Sequence, residues 1–270
     1  MFLTGAGLSV ASGIAPFRGT DDAVWSQNVY EYGTRAKFMS NPAAWYDDFW
    51  LKHFTALPVA EPNAGHLAIA QIVQRFPLTR VITQNIDCLH SKGAAAIPPG
   101  SLVEIHGRIG EFKCFTENCP FSQTQSLSSP SVLKSSAEVP HCPNCSSIMC
   151  PNTLLFDEEF QSHDIYQFGK AEKFLEECDA VVFVGTSFSV SITDIAFEIL
   201  SLNPDKETWA FNFNLSKSPE RKRKSRLVPL QMVHGKCEET LVELLKVLER
   251  HQQPTEPLRS EESEDKSTVD

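Results

Sequence analysis

Short apolar runs alternate along this chain with stretches of helical period. Phe2–Thr4, Arg80–Thr83, Leu102–Ile105, Ala180–Val184 and Trp209–Phe213 are brief, rich in β-branched and aromatic residues, and short enough to be buried strands. Pro62-Asn63 stands just before the apolar AGHLAIAQIV, which predicts a helix capped by the Asn63 side chain. Near the end Leu241, Leu244, Leu245 and Leu248 fall at i, i+3, i+4 and i+7, one face of a closing helix. Strands alternating with helices predict βαβ units and a parallel sheet, an α/β fold.

Two stretches break the alternation. Residues 20 to about 60 are rich in aromatics, and residues 109–150 are rich in cysteine, serine and proline. Each reads as an insertion between strands of one sheet. That divides the chain into a main domain of residues 1–108 and 151–250, with a helical insertion at about 20–60, and a small domain of residues 109–150. Residues 251–270 have no apolar period and read as a disordered acidic tail.

With 270 residues and 41% hydrophobic content, the chain has enough apolar material for a sizeable core. The formal net charge is -10; the tail holds six acidic and two basic side chains and so supplies -4, leaving -6 for the rest. That balance points away from direct nucleic-acid binding. The apolar runs are far shorter than the roughly 20 residues a membrane helix needs, so the chain reads as soluble, with no membrane partner. The basic run Arg221-Lys222-Arg223-Lys224 reads either as a nuclear import patch or as a solvated loop.

Five of the eight cysteines, Cys114, Cys119, Cys142, Cys145 and Cys150, crowd into 37 residues. With no secretory signal in the sequence, metal binding is favoured over a disulfide framework. Cys114-x4-Cys119 and Cys142-x2-Cys145, 22 residues apart, have the spacing of two clamping turns. Four thiolates leave no open coordination position, so the expected ion is a structural zinc. Cys150, five residues beyond Cys145, competes for a place in the set.

Polar groups gather at the ends of the expected strands. Gly5-Ala6-Gly7 follows the first strand and would let backbone approach a pyrophosphate; a tight turn without a ligand is the alternative, since Val10 stands where a third Rossmann glycine would be. Gly185-Thr186-Ser187 repeats the arrangement after Ala180–Val184, and two such loops on one sheet favour a dinucleotide site. Gln84-Asn85-Ile86-Asp87 after the second strand would face a ligand crevice, although Asn and Asp are also ordinary turn formers. His106 beside Gly107 is a candidate base. His66, inside a helix start, reads as structural.

Taken together, Gly5-Ala6-Gly7-Leu8-Ser9, Ser12-Gly13-Ile14, Phe17-Arg18-Gly19, Thr83-Gln84-Asn85-Ile86-Asp87 with Leu89-His90, Glu104-Ile105-His106-Gly107, the two cysteine pairs and Gly185-Thr186-Ser187 resemble the sirtuin family in type and in order, over about residues 2–249. The resemblance implies a Rossmann-like parallel sheet with helices on both faces and a small inserted zinc-binding domain. It implies an NAD-dependent protein-lysine deacylase, with NAD as co-substrate and an acyl-lysine peptide as partner. In that family the acyl oxygen displaces nicotinamide from the ribose, a histidine activates a ribose hydroxyl, and the acyl group ends on ADP-ribose. Carried onto this chain, His106 is the base, Asn85 orients ribose and water, and Asp87 holds the nicotinamide carboxamide. Gly5, Ala6, Gly7, Ser9, Gly185, Thr186 and Ser187 serve the cofactor's phosphates and riboses. Phe17 and Arg18 close over the reacting ribose, Gln84 reaches it, and Asn212 and Cys237 meet the adenosine end. ADP-ribosyl transfer or NAD hydrolysis on the same fold is the alternative activity, and a non-catalytic NAD and zinc module a third reading.

The chain also departs from the family. Cys150 stands for a usual arginine, and Phe156-Asp157-Glu158 varies the Phe-Gly-Glu of the peptide-binding strand. Members acting on succinyl or malonyl lysine carry a Tyr and an Arg three residues apart; counting without gaps from Asn41-Pro42 places Phe49 and Lys52 there. Lysine lacks the bidentate fork of arginine, which favours neutral acyl groups or a broad range; simple packing of Trp45, Phe49 and Trp50 is the alternative. Sirtuins usually have more chain ahead of Gly-Ala-Gly, so a version extended upstream is expected to be more stable. The expected location is intracellular, cytoplasmic or nuclear, with the mitochondrion left open.

Overall fold

A computed structural model describes residues 1–15, 29–54, 57–122, 125–128, 133–202, 209–214 and 230–252. In chain order the strands are β1 (Phe2–Thr4), β2 (Val81–Thr83), β3 (Leu102–Glu104), β4 (Gly107–Lys113), β5 (Leu127–Ser128), β6 (Cys150–Thr153), β7 (Ala180–Val184), β8 (Trp209–Asn214) and β9 (Leu230–His234). The α-helices are α1 (Val29–Tyr32), α2 (Arg35–Ser40), α3 (Pro42–Trp45), α4 (Leu51–His53), α5 (Ala64–Arg75), α6 (Phe168–Glu177), α7 (Ser191–Ser201) and α8 (Cys237–Gln252).

Six strands form one parallel sheet in the order β3-β2-β1-β7-β8-β9. β1 is three residues long, yet Phe2, Leu3 and Thr4 are all buried, because both faces of the sheet are covered. On one face Leu3, Ile82 and Phe183 pack with Phe174, Leu175 and Ile192 of α6 and α7. On the other Phe2 and Val81 pack with Ile69 and Val73 of α5 and Leu241 and Leu245 of α8. The α8 leucine stripe thus faces the core as its spacing requires. α5 begins with a capping box in which the Asn63 side chain accepts from the His66 amide and the His66 ring accepts from the Asn63 amide.

The remaining strand β9 escaped the sequence pattern. Gln231 and His234 interrupt its apolar run, and it lies at the sheet edge where only part of each side chain is covered.

The small sheet, β5-β4-β6, is antiparallel, and β4 leaves the main sheet directly after His106. Its core is shared with the helical segment. Phe38, Trp45, Tyr46, Phe49 and Trp50 pack with Phe112, Phe115 and Met149, and the Tyr46 hydroxyl donates to the Met149 carbonyl at 2.7 Å. The two insertions therefore form one body against the sheet's carboxyl edge. Among the described residues no helix is long and apolar enough to cross a membrane.

Candidate active site

β1 and β7 are neighbours at the point where the strand order reverses, and their following loops meet there. The Gly7 amide donates to the Gly185 carbonyl at 2.9 Å. A Cβ on Gly5 would lie 2.9 Å from the Gly185 oxygen, and one on Gly7 would lie 2.7 Å from the Gly185 Cα. Gly185 itself has φ 61°, and a Cβ there would overlap the Leu8 amide nitrogen. The glycines serve contact between the two loops first, and this contact brings both to one crevice. The cradle leaves no side chain between backbone and ligand, which suits a pyrophosphate. Cys237 is buried behind it, where burial pushes its thiol up to about 11 despite the facing Gly185 amide.

Asn85, Asp87 and Ser9 form a hydrogen-bonded group at the end of β2. Asn85 Nδ2 donates to the Gly5 carbonyl and to Ser9 Oγ, both at 3.1 Å, and Ser9 Oγ donates to Asp87 Oδ2 at 2.7 Å. The Leu89 amide donates to the other Asp87 oxygen at 3.0 Å. Burial raises the Asp87 pKa, and these donors offset part of that rise. The group lines a cavity of about 150 Å³ with Ala6, Ile14, His53, Phe54 and Ile86.

His106 lies in the turn between β3 and β4, and Gly107 after it has φ 77° and a position where a Cβ would overlap the Asn152 carbonyl oxygen. The ring Nδ1 lies 2.7 Å from the Gln84 carbonyl oxygen. A carbonyl only accepts, so Nδ1 carries the proton and Nε2 holds a free lone pair. Nε2 is buried with no hydrogen-bond partner among the described residues. Burial lowers the His106 pKa to about 4, so the ring is neutral near pH 7. An oriented, unprotonated and unpaired nitrogen is what a general base requires. Gln84 also donates through Nε2 to Thr186 Oγ1 at 3.4 Å, linking the β2 and β7 loops.

The four expected metal ligands converge. Their Sγ atoms all lie within 4.8 Å of one another, with Cys114–Cys145 at 3.5 Å and Cys119–Cys142 at 3.6 Å. A tetrahedral zinc with bonds of about 2.3 Å sets its sulfurs roughly 3.8 Å apart, so the donor set fits zinc. Cys150 is excluded from the set. It lies in β6 opposite Lys113, fully buried, and burial holds its thiol well above the usual range.

Other expected residues are placed elsewhere. Ser187 is exposed, with its hydroxyl on Ser189. Asn212 is in β8, paired with Phe183 and Met232. Phe17 and Arg18 lie outside the described residues. Phe156 is on the surface beside Tyr30, and Asp157 accepts from the Arg35 and Ala36 amides at 2.6 and 3.0 Å, capping α2. Glu158 is not available to a peptide: it is buried and paired with Lys113 Nζ at 2.6 Å. Hydrophobic pattern could not reveal that pair, whose members are 45 residues apart.

Phe49 and Lys52 are not brought to the cavity. Phe49 is 3% exposed inside the aromatic core, and Lys52 points to solvent toward Asp48 at 3.4 Å. His53 and Phe54 face the cavity instead. A π turn at Tyr46–Trp50, closed by i→i+5 bonds instead of i→i+4, precedes them and shifts the angular register of the residues that follow. An ungapped count has no means of registering such a turn. The sequence reading also missed Phe160, whose ring lies parallel to that of His106.

The sequence pattern of the Sir2 family matches residues 5–192. The NAD-dependent deacetylase sir2E of Dictyostelium discoideum is 38% identical over 255 residues, covering 89% of this chain and 71% of that one. The NAD-dependent protein deacylase 1 of Caldanaerobacter subterraneus is 35% identical over 192 residues, covering 70% and 72%. Among solved structures, a Sir2 homologue in complex with NAD has a TM-score of 0.74 at 25% identity, covering 93% of this chain and 89% of that one. A complex of Sir2 with a p53 peptide and NAD+ has a TM-score of 0.69 at 26% identity, covering 92% of each. The matched segment runs from the first glycine loop through the Asn85–Asp87 group, His106 and the cysteine cluster to the second glycine loop, and the chain belongs to the Sir2 family.

Proposed function

We propose that this protein is an NAD-dependent protein-lysine deacylase that moves the acyl group of an acyl-lysine to ADP-ribose and releases nicotinamide. The observation that carries the reading is His106 Nε2, a neutral and oriented nitrogen just past the end of β3 with no hydrogen-bond partner among the described residues. When bound, NAD supplies an electrophilic ribose carbon and a hydroxyl acceptor. His106 Nε2 takes the proton from that hydroxyl, and Gln84 holds the ring in the tautomer that allows it. Asn85, fixed through Nδ2, leaves Oδ1 to orient ribose or water. Asp87, fixed by Ser9 and Leu89, serves the nicotinamide carboxamide. Gly5, Gly7 and Gly185 bring backbone to the phosphates. A zinc ion held by the four cysteines would have no open position and would serve only to stabilise the small sheet.

The solved Sir2 complex with a p53 peptide supports a peptide partner here. The net charge of -10 argues against direct nucleic-acid binding. Lys52, the cation the ungapped count offered to a carboxylated acyl chain, faces solvent toward Asp48, which favours neutral acyl chains. The proposed location is intracellular, in the cytoplasm or nucleus with the mitochondrion left open, and the proposed division is a Rossmann-like domain of residues 1–108 and 151–250 with the zinc domain at 109–150. The test is nicotinamide release from NAD with a panel of acyl-lysine peptides. Release no greater than that of His106→Ala, for every acyl chain, overturns the reading. ADP-ribose without its acyl ester, or label fixed on protein, points to hydrolysis or ADP-ribosyl transfer.

A further inference from the structure

We propose that Phe160 is a positioning residue for His106, holding the imidazole plane so that Nε2 points in one direction. The proposal rests on the deacylase reading for its kinetic consequence, and on geometry for the rest. A single hydrogen bond, Nδ1 to the Gln84 carbonyl, locates the ring but leaves it free to tilt about that bond. Phe160 removes that freedom. The two rings are 4° from parallel with centroids 6.0 Å apart, and Phe168 extends the stack at 5.2 Å and 0°. Both separations lie in the offset-stacked range, where aromatic pairs attract beyond their burial.

Phe160 sits on a one-turn helix, Phe160–Ser162, rather than on a strand, so its own anchoring matters. The Ser162 amide donates to the Glu159 carbonyl at 3.0 Å, and Ser162 Oγ donates to Glu158 Oε1 at 3.3 Å. Glu158 Oε2 accepts from Lys113 Nζ at 2.6 Å and from the Leu155 amide at 3.0 Å. Lys113 also donates to the Tyr166 hydroxyl at 2.7 Å and to the Thr153 carbonyl at 2.9 Å. A buried pair this fully satisfied resists losing either partner, because the survivor would be an uncompensated charge. Phe160 is thereby tied to Lys113, the last residue of β4, next to the metal ligand Cys114.

Two variants separate this role from general packing: Phe160→Leu removes the ring, and Phe160→Tyr keeps it. The first readout needs no ligand. In ¹⁵N spectra of the histidine rings, with the His106 signal identified by its loss in His106→Gln, all three proteins should show the Nδ1–H tautomer that the Gln84 carbonyl fixes, with a sharp Nε2 signal in the wild type and Phe160→Tyr and an exchange-broadened one in Phe160→Leu. The second is kinetic. Phe160→Leu should lower the deacylation kcat about 3- to 10-fold, the worth of one stacked pair, with KM for NAD and peptide within about twofold. Exchange of labelled nicotinamide, which precedes the step needing the base, should stay at the wild-type rate. An Nε2 signal as sharp in Phe160→Leu as in the wild type, an unchanged kcat, or equal loss of exchange and deacylation overturns the proposal. A wild type that transfers no acyl group removes the deacylase reading, and the ring spectra then decide on Phe160 alone.

Discussion

Stability should fall steeply with acid because of buried histidines, and His66 offers the clearest test. His66 has no exposed surface, its Nε2 has no hydrogen-bond partner among the described residues, and the buried His90 lies 5.0 Å away, ring to ring. Burial lowers the His66 pKa to about 4, and burial followed by His66 lowers His90 further. In the unfolded chain each takes up a proton near pH 6.5. Between about 6.5 and 4 the unfolded state therefore binds more protons, and stability is lost as pH falls through that window. From pH 7.5 to 5.0 a shift of this size costs about 2 kcal/mol for His66 alone. Asp87 and Glu104, whose pKa values burial raises, work in the opposite direction, so the total slope is not diagnostic. The difference between wild type and His66→Gln is. Gln at this helix position can still accept from the Asn63 amide and keeps the capping box. Urea unfolding at pH 7.5, 6.5, 5.5 and 5.0 should show the wild type losing about 2 kcal/mol more than the variant across the range. Parallel pH dependences would mean that His66 is protonated without cost in the folded protein, which refutes the burial argument.

Other outcomes follow from the same geometry. Gly185→Ala places a side chain at φ 61° against the Leu8 amide, and should cost at least about 2 kcal/mol in urea unfolding; a neutral effect would show that the two loops need not touch. Cys142→Ser should abolish stoichiometric zinc in metal analysis and lower Tm, whereas Cys150→Ser should retain the full zinc content. Across the acyl-peptide panel, Lys52→Ala should leave the preference as it is, since Lys52 faces solvent, while His53→Leu should alter it; the reverse result would restore the ungapped register. Lys113→Met should destabilise by about 3 to 5 kcal/mol in urea unfolding by leaving Glu158 buried and unpaired, and the double variant with Glu158→Leu should recover much of that loss.

The amino-acid sequence alone determined the strand and helix alternation, the cap at Asn63, the leucine face of the last helix, two cysteine pairs with metal-clamp spacing and the polar strand ends at Asn85, Asp87 and His106, while the structure excluded Cys150 from the metal set. These are local statements: period reports burial, spacing reports a clamp, and a polar cluster after an apolar run reports a strand end. The tertiary structure decided what each residue meets. It put Gly5 and Gly7 against Gly185 before any ligand, paired Glu158 with Lys113, and laid Phe160 along His106. It also turned His53 rather than Lys52 to the cavity, after a π turn that leaves no mark on the hydrophobic pattern. The physical reason is common to all four. A periodic pattern encodes which face of an element is buried, whereas contact partners depend on how distant elements are rotated and stacked, and that is settled only when the whole core packs.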